Sequence, residues 1–182
     1  VMDMPNTTPP LTTAELLKQK RDRADREGLV DIRLYGLALR ENLHSLESLA
    51  PYVVAYKIFL AKSTGGVMLP MEYLQLALSK THQINKPVTL HCESQSMIDG
   101  NMERYKHSTE PDVHCDIRSP EAEIVSIQEA LEQIQTFDRV NVAHLSTAEG
   151  LKTIKEYKAK GYQVACEAAP HHLLLTRHAM KE

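Results

Sequence analysis

Ala55-Tyr56-Lys57-Ile58-Phe59-Leu60-Ala61-Lys62-Ser63-Thr64-Gly65-Gly66 is a short apolar run with one lysine inside it, followed at once by a Ser-Thr-Gly-Gly turn. Lysine is rarely fully buried unless it is paired or chemically employed. Lys57, near the end of a strand that opens into a polar loop, is therefore a candidate for chemistry. Two later strand-like runs, Pro87-Val88-Thr89-Leu90-His91 and Val140-Asn141-Val142-Ala143-His144, each close on a histidine. One lysine and two histidines closing three separate strands predict a shared site at one end of a parallel sheet.

Outward from that run, strand and helix patterns alternate. Val1 to Met4 is a short apolar start, followed by the Pro5-Asn6-Thr7-Thr8-Pro9-Pro10 loop. Thr12 with Glu15 makes a capping-box pattern for a helix that stops at Gly28. Ile32 to Ala38 reads as a strand, and Leu43, Leu46 and Leu49 have helical spacing. After the Gly65-Gly66 turn, Leu74, Ala77 and Leu78 mark a helix that ends before Pro87. Cys92 to Cys115 is long and without clear period, which implies a functional loop or hidden short helices. Ser119-Pro120-Glu121 starts a helix with a buried stripe of Ile124, Ile127, Leu131 and Ile134. Ser146 with Glu149 repeats the capping-box pattern in a helix that ends at Gly161. Tyr162 to Ala169 is the last strand, and Met180-Lys181-Glu182 looks like the opening of another helix.

About six βα units imply a parallel sheet covered by helices. An open doubly wound sheet and an incomplete (β/α)₈ barrel both fit. No GxGxxG turn supports dinucleotide binding, and a full barrel needs eight units in typically ~250 residues. Both folds place functional groups at the C-terminal ends of strands.

The 182 residues, 42% hydrophobic and 25% charged, suit one sizeable core. A formal net charge of −3 gives no reason to expect nucleic acid or an acidic membrane as partner. No apolar run approaches the ~20 residues that span a bilayer, and the N-terminus shows no secretory pattern. Cys92, Cys115 and Cys166 are odd in number and widely spaced, which suits a reducing cytoplasm.

Neutral imidazole is a common zinc ligand, and two histidines on different strands can converge on one ion. A deprotonated lysine amine can add carbon dioxide to form a carbamate, chemically a carboxylate able to bridge two cations; burial favours the reactive amine. Water held by such a metal has a pKa near ~7 and can attack an amide carbonyl. From spacing alone, a structural role for either histidine stays open. His171-His172 is adjacent, so in an extended segment at most one faces a site. His44, His82, His107, His114 and His178 fall in helices or loops, where solvation is the simpler reading. Glu93 suits either support of His91 or a surface acid, and Arg118 and Glu121 are placed to pair across a helix start. Asn6 is placed to bind a substrate carboxylate or to form a turn.

Taken together, six segments resemble the dihydroorotase family, within the cyclic-amidohydrolase branch of the metal-dependent hydrolases. They are Asp3-Met4-Pro5-Asn6-Thr7, Tyr56-Lys57-Ile58-Phe59 with its Ser-Thr-Gly-Gly turn, His91-Cys92-Glu93, Arg118-Ser119-Pro120-Glu121-Ala122-Glu123, Ala143-His144-Leu145-Ser146-Thr147-Ala148-Glu149 and Cys166-Glu167-Ala168-Ala169-Pro170-His171-His172-Leu173. They follow the family's order over nearly the whole chain.

The resemblance implies a TIM-type (β/α)₈ barrel with one or two zinc ions. Lys57 would be the carbamylated bridging ligand and catalytic group, His91 and His144 ligands of the second metal, and Asn6 the group that holds the substrate carboxylate. The implied reaction is reversible cyclisation of N-carbamoyl-L-aspartate to dihydroorotate in pyrimidine biosynthesis, in the cytoplasm. The family's first-strand His-x-His pair, the arginine after it and its eighth-strand aspartate have no counterpart here. Residues 1–182 thus resemble strands two to seven of such a barrel, a domain expected to be inactive alone. Two alternatives are a non-catalytic partner of aspartate transcarbamoylase and a hydantoinase or allantoinase. A homodimer is the other assembly to expect.

Overall fold

Residues 1–180 are described by the computed structural model, so the expected helix opening at Met180-Lys181-Glu182 lies largely outside the described residues. Six strands form one sheet: β1 (Met2–Asp3), β2 (Arg33–Leu37), β3 (Ala55–Phe59), β4 (Val88–His91), β5 (Val140–Val142) and β6 (Val164–Cys166). Every pairing is parallel, and the spatial order is the sequence order. A doubly wound sheet reverses direction at a switch point. This one never does, so it has the winding of a barrel wall, and the choice left open by the sequence is decided by topology.

Helices α1 (Ala14–Glu27), α2 (Leu46–Leu49), α3 (Leu74–Gln83), α4 (Gln95–Arg104), α5 (Val113–Ile117), α6 (Pro120–Gln133), α7 (Ala148–Ala159) and α8 (Pro170–Leu174) fill the crossovers. α4 and α5 are the short helices within the long Cys92–Cys115 stretch. Among the described residues no helix is long and apolar enough to cross a membrane.

Alternate strand residues face opposite sides of a sheet. Leu34, Tyr56, Ile58, Val88, Leu90, Val140, Val142 and Val164 belong to the main core, together with Leu46 and Leu49 of α2, Leu74 and Leu78 of α3, Ile127 and Leu131 of α6 and Ile154 of α7. Each such fully buried aliphatic side chain is worth about 1.5–3 kcal/mol of transfer free energy. Tyr56 also donates its hydroxyl to the Leu46 carbonyl at 2.5 Å. Its ring lies over Gly36, where an added Cβ would come within 3.1 Å, so β2 needs glycine there.

Two helix starts differ from the sequence expectation by one residue. Thr13, not Thr12, caps α1 by accepting from the Leu16 amide. Thr147, not Ser146, caps α7 by accepting from Gly150. In both places the competing hydroxyl has another partner: Thr12 bonds the Pro10 carbonyl and Ser146 bonds Glu123. The segment with Leu43, Leu46 and Leu49 is a 3-10 turn (Arg40–Ser45) leading into α2. Asn42 tightens it by accepting from the Leu39 amide and donating to the Leu37 carbonyl.

Candidate active site

Lys57 lies at the centre of β3 rather than at its end. It pairs with Thr89, while Phe59 pairs with His91 two residues further along. Lys57 therefore sits one step deeper than the rim. It is 1% exposed, its Nζ has no hydrogen-bond partner among the described residues, and it lies 5.1 Å from the Phe59 ring centroid. Burial lowers its pKa from 10.5 to about 8, so the neutral amine is far more accessible near neutral pH than in an exposed lysine.

His91 is the last residue of β4, partly buried. Its Nε2 meets Glu93 Oε2 at 2.5 Å. Arg118 Nη1 in turn holds that same carboxylate oxygen, and Arg118 Nη2 donates to the Lys62 carbonyl at 2.9 Å. Arg118 thus ties the loops after β3 and β4 to the start of α6. Burial would raise the Glu93 carboxyl, but the hydrogen bond from His91 and the charges of His91 and Arg118 outweigh it and hold it below the usual range. Glu93 supports His91, and Arg118 pairs with Glu93 rather than with Glu121.

His144 lies two residues beyond β5, not at its end, in a turn with φ +40°. Its Nε2 comes 2.8 Å from Nδ1 of His91, with the rings edge to face and centroids 4.7 Å apart. Burial first, then the nearby charges of His91 and Lys57, push its pKa down to about 4. His144 is therefore neutral at pH 7, the form in which imidazole binds a metal.

The tautomers follow from the partners. His91 Nε2 donates to the Glu93 carboxylate, which leaves the Nδ1 lone pair aimed at His144. A carboxylate on the far nitrogen of a histidine is the usual means of orienting a metal ligand. The structure thus brings His91 and His144 into contact, with Lys57 buried on the neighbouring strand, near enough for its charge to act on His144 but not lining the cleft that the histidines face. Among the described residues no three His, Cys, Asp or Glu side chains converge as a metal cluster. The donors are two nitrogens, and a third from this wall requires Lys57 to become a carbamate. A buried amine without a partner beside two converging nitrogens fits that chemistry.

Asn6 follows β1 at the same rim, partly buried, and its side chain makes no hydrogen bond among the described residues. It does not wall the open cleft of about 1000 Å³ into which the histidine pair faces. That cleft is also walled by His114, His171 and His172. His171-His172 is not extended: Pro170 starts a short helix there, the rings stack edge to face at 4.2 Å, and both line the cleft. No local spacing signals this, because the segment after α8 meets α5 only in the folded chain. There Arg177 binds Asp116 Oδ1 at 2.9 Å and Asp112 Oδ2 at 3.0 Å.

No family model matches the chain. It is 30% identical over 181 residues to the dihydroorotase of Methanosphaera stadtmanae, covering 96% of this chain and 40% of that protein. It is 32% identical over 185 residues to the dihydroorotase of Methanosarcina acetivorans, covering 97% and 39%. In structure it matches the L-hydantoinase (dihydropyrimidinase) of Arthrobacter aurescens with a TM-score of 0.92 at 24% identity, over 97% of this chain and 41% of that one. The fold is part of an amidohydrolase TIM barrel, six consecutive parallel βα units of it. This chain spans about two fifths of the length of the curated relatives it matches. It belongs to the dihydroorotase/hydantoinase family of cyclic amidohydrolases.

Proposed function

We propose that this chain carries the metal-binding wall of a zinc-dependent dihydroorotase, and that residues 1–182 correspond to strands two to seven of its barrel. The observation that carries the reading is the 2.8 Å approach of His91 Nδ1 to His144 Nε2, with the unpartnered, buried Nζ of Lys57 on the strand paired with that of His91. His91 and His144 would supply nitrogen ligands. Lys57 would supply a carbamate ligand, formed when its neutral amine bonds to the carbon of carbon dioxide and releases one proton. When bound, zinc supplies Lewis-acid polarisation of the substrate carbonyl and acidified water. Glu93 and Arg118 keep the His91 lone pair aimed at the site. Asn6 is assigned the substrate carboxylate on the family likeness. The substrate is dihydroorotate in the hydrolytic direction and N-carbamoyl-L-aspartate in the other.

The test is to incubate the chain with zinc and ¹³C-bicarbonate and to read zinc retention and a carbamate ¹³C resonance. Both are expected in the wild type and absent in Lys57→Ala. A wild type that retains no zinc and keeps a bare amine sinks the reading and favours the non-catalytic partner role. A hydantoinase-type substrate is the second reading, because the matched structures include an L-hydantoinase and a D-hydantoinase. Turnover of hydantoin but not dihydroorotate, by a longer protein that contains this chain, selects it.

A further inference from the structure

We propose that Glu123 is a positioning residue that sets the His144 ring against His91 by gripping the backbone two residues beyond it, an inference that rests on the His91–His144 pair being the functional centre. Glu123 lies in the first turn of α6 and is 8% exposed. Its Oε1 accepts from the Ser146 amide at 2.9 Å. Its Oε2 accepts from the same amide at 3.2 Å and from the Ser146 hydroxyl at 3.1 Å. No lysine or arginine pairs with it among the described residues. A buried carboxylate without a cation is costly and persists where hydrogen bonds satisfy it. Here both oxygens are directed at one short turn, the one that carries His144.

That turn needs holding. A non-glycine residue at φ +40° is strained and persists when its surroundings over-determine it. Before His144, the Ala143 amide is fixed on the Leu90 carbonyl at 2.9 Å. After it, Leu145 donates to the Glu167 carbonyl at 2.7 Å. Those two bonds anchor the turn to β4 and to the segment after β6. The Glu123 grip is the third anchor and comes from the helix layer. The distance from α6 to the turn is kept short by Gly150, where a Cβ would lie 2.8 Å from Ile127 Cδ1 of α6 and 2.6 Å from Thr147 Oγ1. With the third anchor released, the His144 backbone can relax toward negative φ, which swings Nε2 away from His91.

The experiment reads the imidazole nitrogens of the full chain by ¹⁵N NMR, without metal. Wild type is expected to show His91 Nδ1 and His144 Nε2 as one hydrogen-bonded pair. Glu123→Gln turns an amide NH₂ or a weaker acceptor toward the Ser146 amide. It is expected to lose the pair signature while the backbone resonances of β3 to β5 stay in place. Glu123→Asp keeps the charge but is one methylene short, and is expected to weaken the signature; it serves if the glutamine variant does not fold. Ser146→Ala keeps the amide bonds and is expected to retain it. An unchanged pair signature in a folded Glu123→Gln or Glu123→Asp overturns the proposal, as does its absence from the wild type. In a parallel titration with Co²⁺, Glu123→Gln is expected to bind about 10–100-fold more weakly. A wild type that takes up no Co²⁺ counts against the metal reading, while the imidazole spectra still decide the role of Glu123.

Discussion

The two faces of β3 differ in what they are for. Tyr56 and Ile58 point to the helices, fully buried in the main apolar core. Lys57 and Phe59 point the other way, into the barrel interior, where Tyr35 reaches across β3 to bring its hydroxyl 3.3 Å from Thr89 Oγ1 on β4. The helix-facing side is apolar and packed, and the inner side mixes Tyr35, Lys57, Thr89 and His91. A strand covered on both faces normally reads as an unbroken hydrophobic run. The single lysine in Ala55–Phe59 marks the face on which the proposed site lies.

That contrast can be broken or sharpened by substitution. Ile58→Ala on the packed face should cost about 2–5 kcal/mol of stability in urea unfolding and leave carbamate formation on Lys57 intact where the fold survives. A loss of less than ~1 kcal/mol would show that the helix layer does not hold the wall.

On the inner face, Lys57→Met should instead preserve or raise stability while abolishing zinc retention. Its pH dependence is the sharper test. The folded pKa of about 8 lies below the ordinary 10.5, so the unfolded chain binds more protons between these values. The Lys57 contribution to stability should therefore rise with pH from about 8 to 10.5, by at most roughly 3 kcal/mol. In Lys57→Met that rise should vanish. Burial raises the Cys92 thiol from 9.0 to about 12, which opposes that rise in the upper part of the window, so a wild-type-minus-variant difference that is flat or falling would contradict a buried, unpaired amine.

His144 has the same sign at acid pH. Its folded pKa of about 4 lies below the ordinary 6.5, so stability should fall as pH drops from 6.5 toward 4. His144→Gln should flatten that limb, as read by thermal melts across the window. The smallest expected effect is Tyr35→Phe, about 0.5–1.5 kcal/mol, because it removes one hydrogen bond of the inner face. A cost above ~3 kcal/mol would mean that the inner layer is as tightly packed as the helix layer.

Much of the wall was legible before folding, because helix and strand periods are local. The helices that bury Leu17, Leu74 and Ile127 and the strands around Lys57 and His91 fall where periodicity and punctuation put them. Two misplacements come from a side chain with another available partner: Thr12 and Ser146 have hydroxyls suited to capping, yet the nearby Pro10 carbonyl takes the first and Glu123, across the fold, takes the second. Tyr162 to Ala169 reads as a long strand, but pairing with β5 persists only over Val164–Cys166. In the site, Lys57, His91 and His144 stood out because a polar residue in or next to an apolar strand run violates the local pattern, although only His91 ends its strand. Glu93, Arg118 and Glu123 carry no such mark, since acids and arginines at helix starts and loops are ordinary.

The amino-acid order by itself determined the alternation of strands and helices, a lysine and two histidines in or just after three of the strand runs, and the run of motifs that resembles cyclic amidohydrolases. These are properties of a residue and its near neighbours, set by backbone period and side-chain chemistry. The tertiary structure alone decided that the strands keep sequential order and that Nδ1 of one histidine meets Nε2 of the other. It also decided that a glutamate on α6 grips the turn that carries His144. Those outcomes depend on sheet register and helix packing between residues tens of positions apart, and no local pattern encodes a distance across the fold.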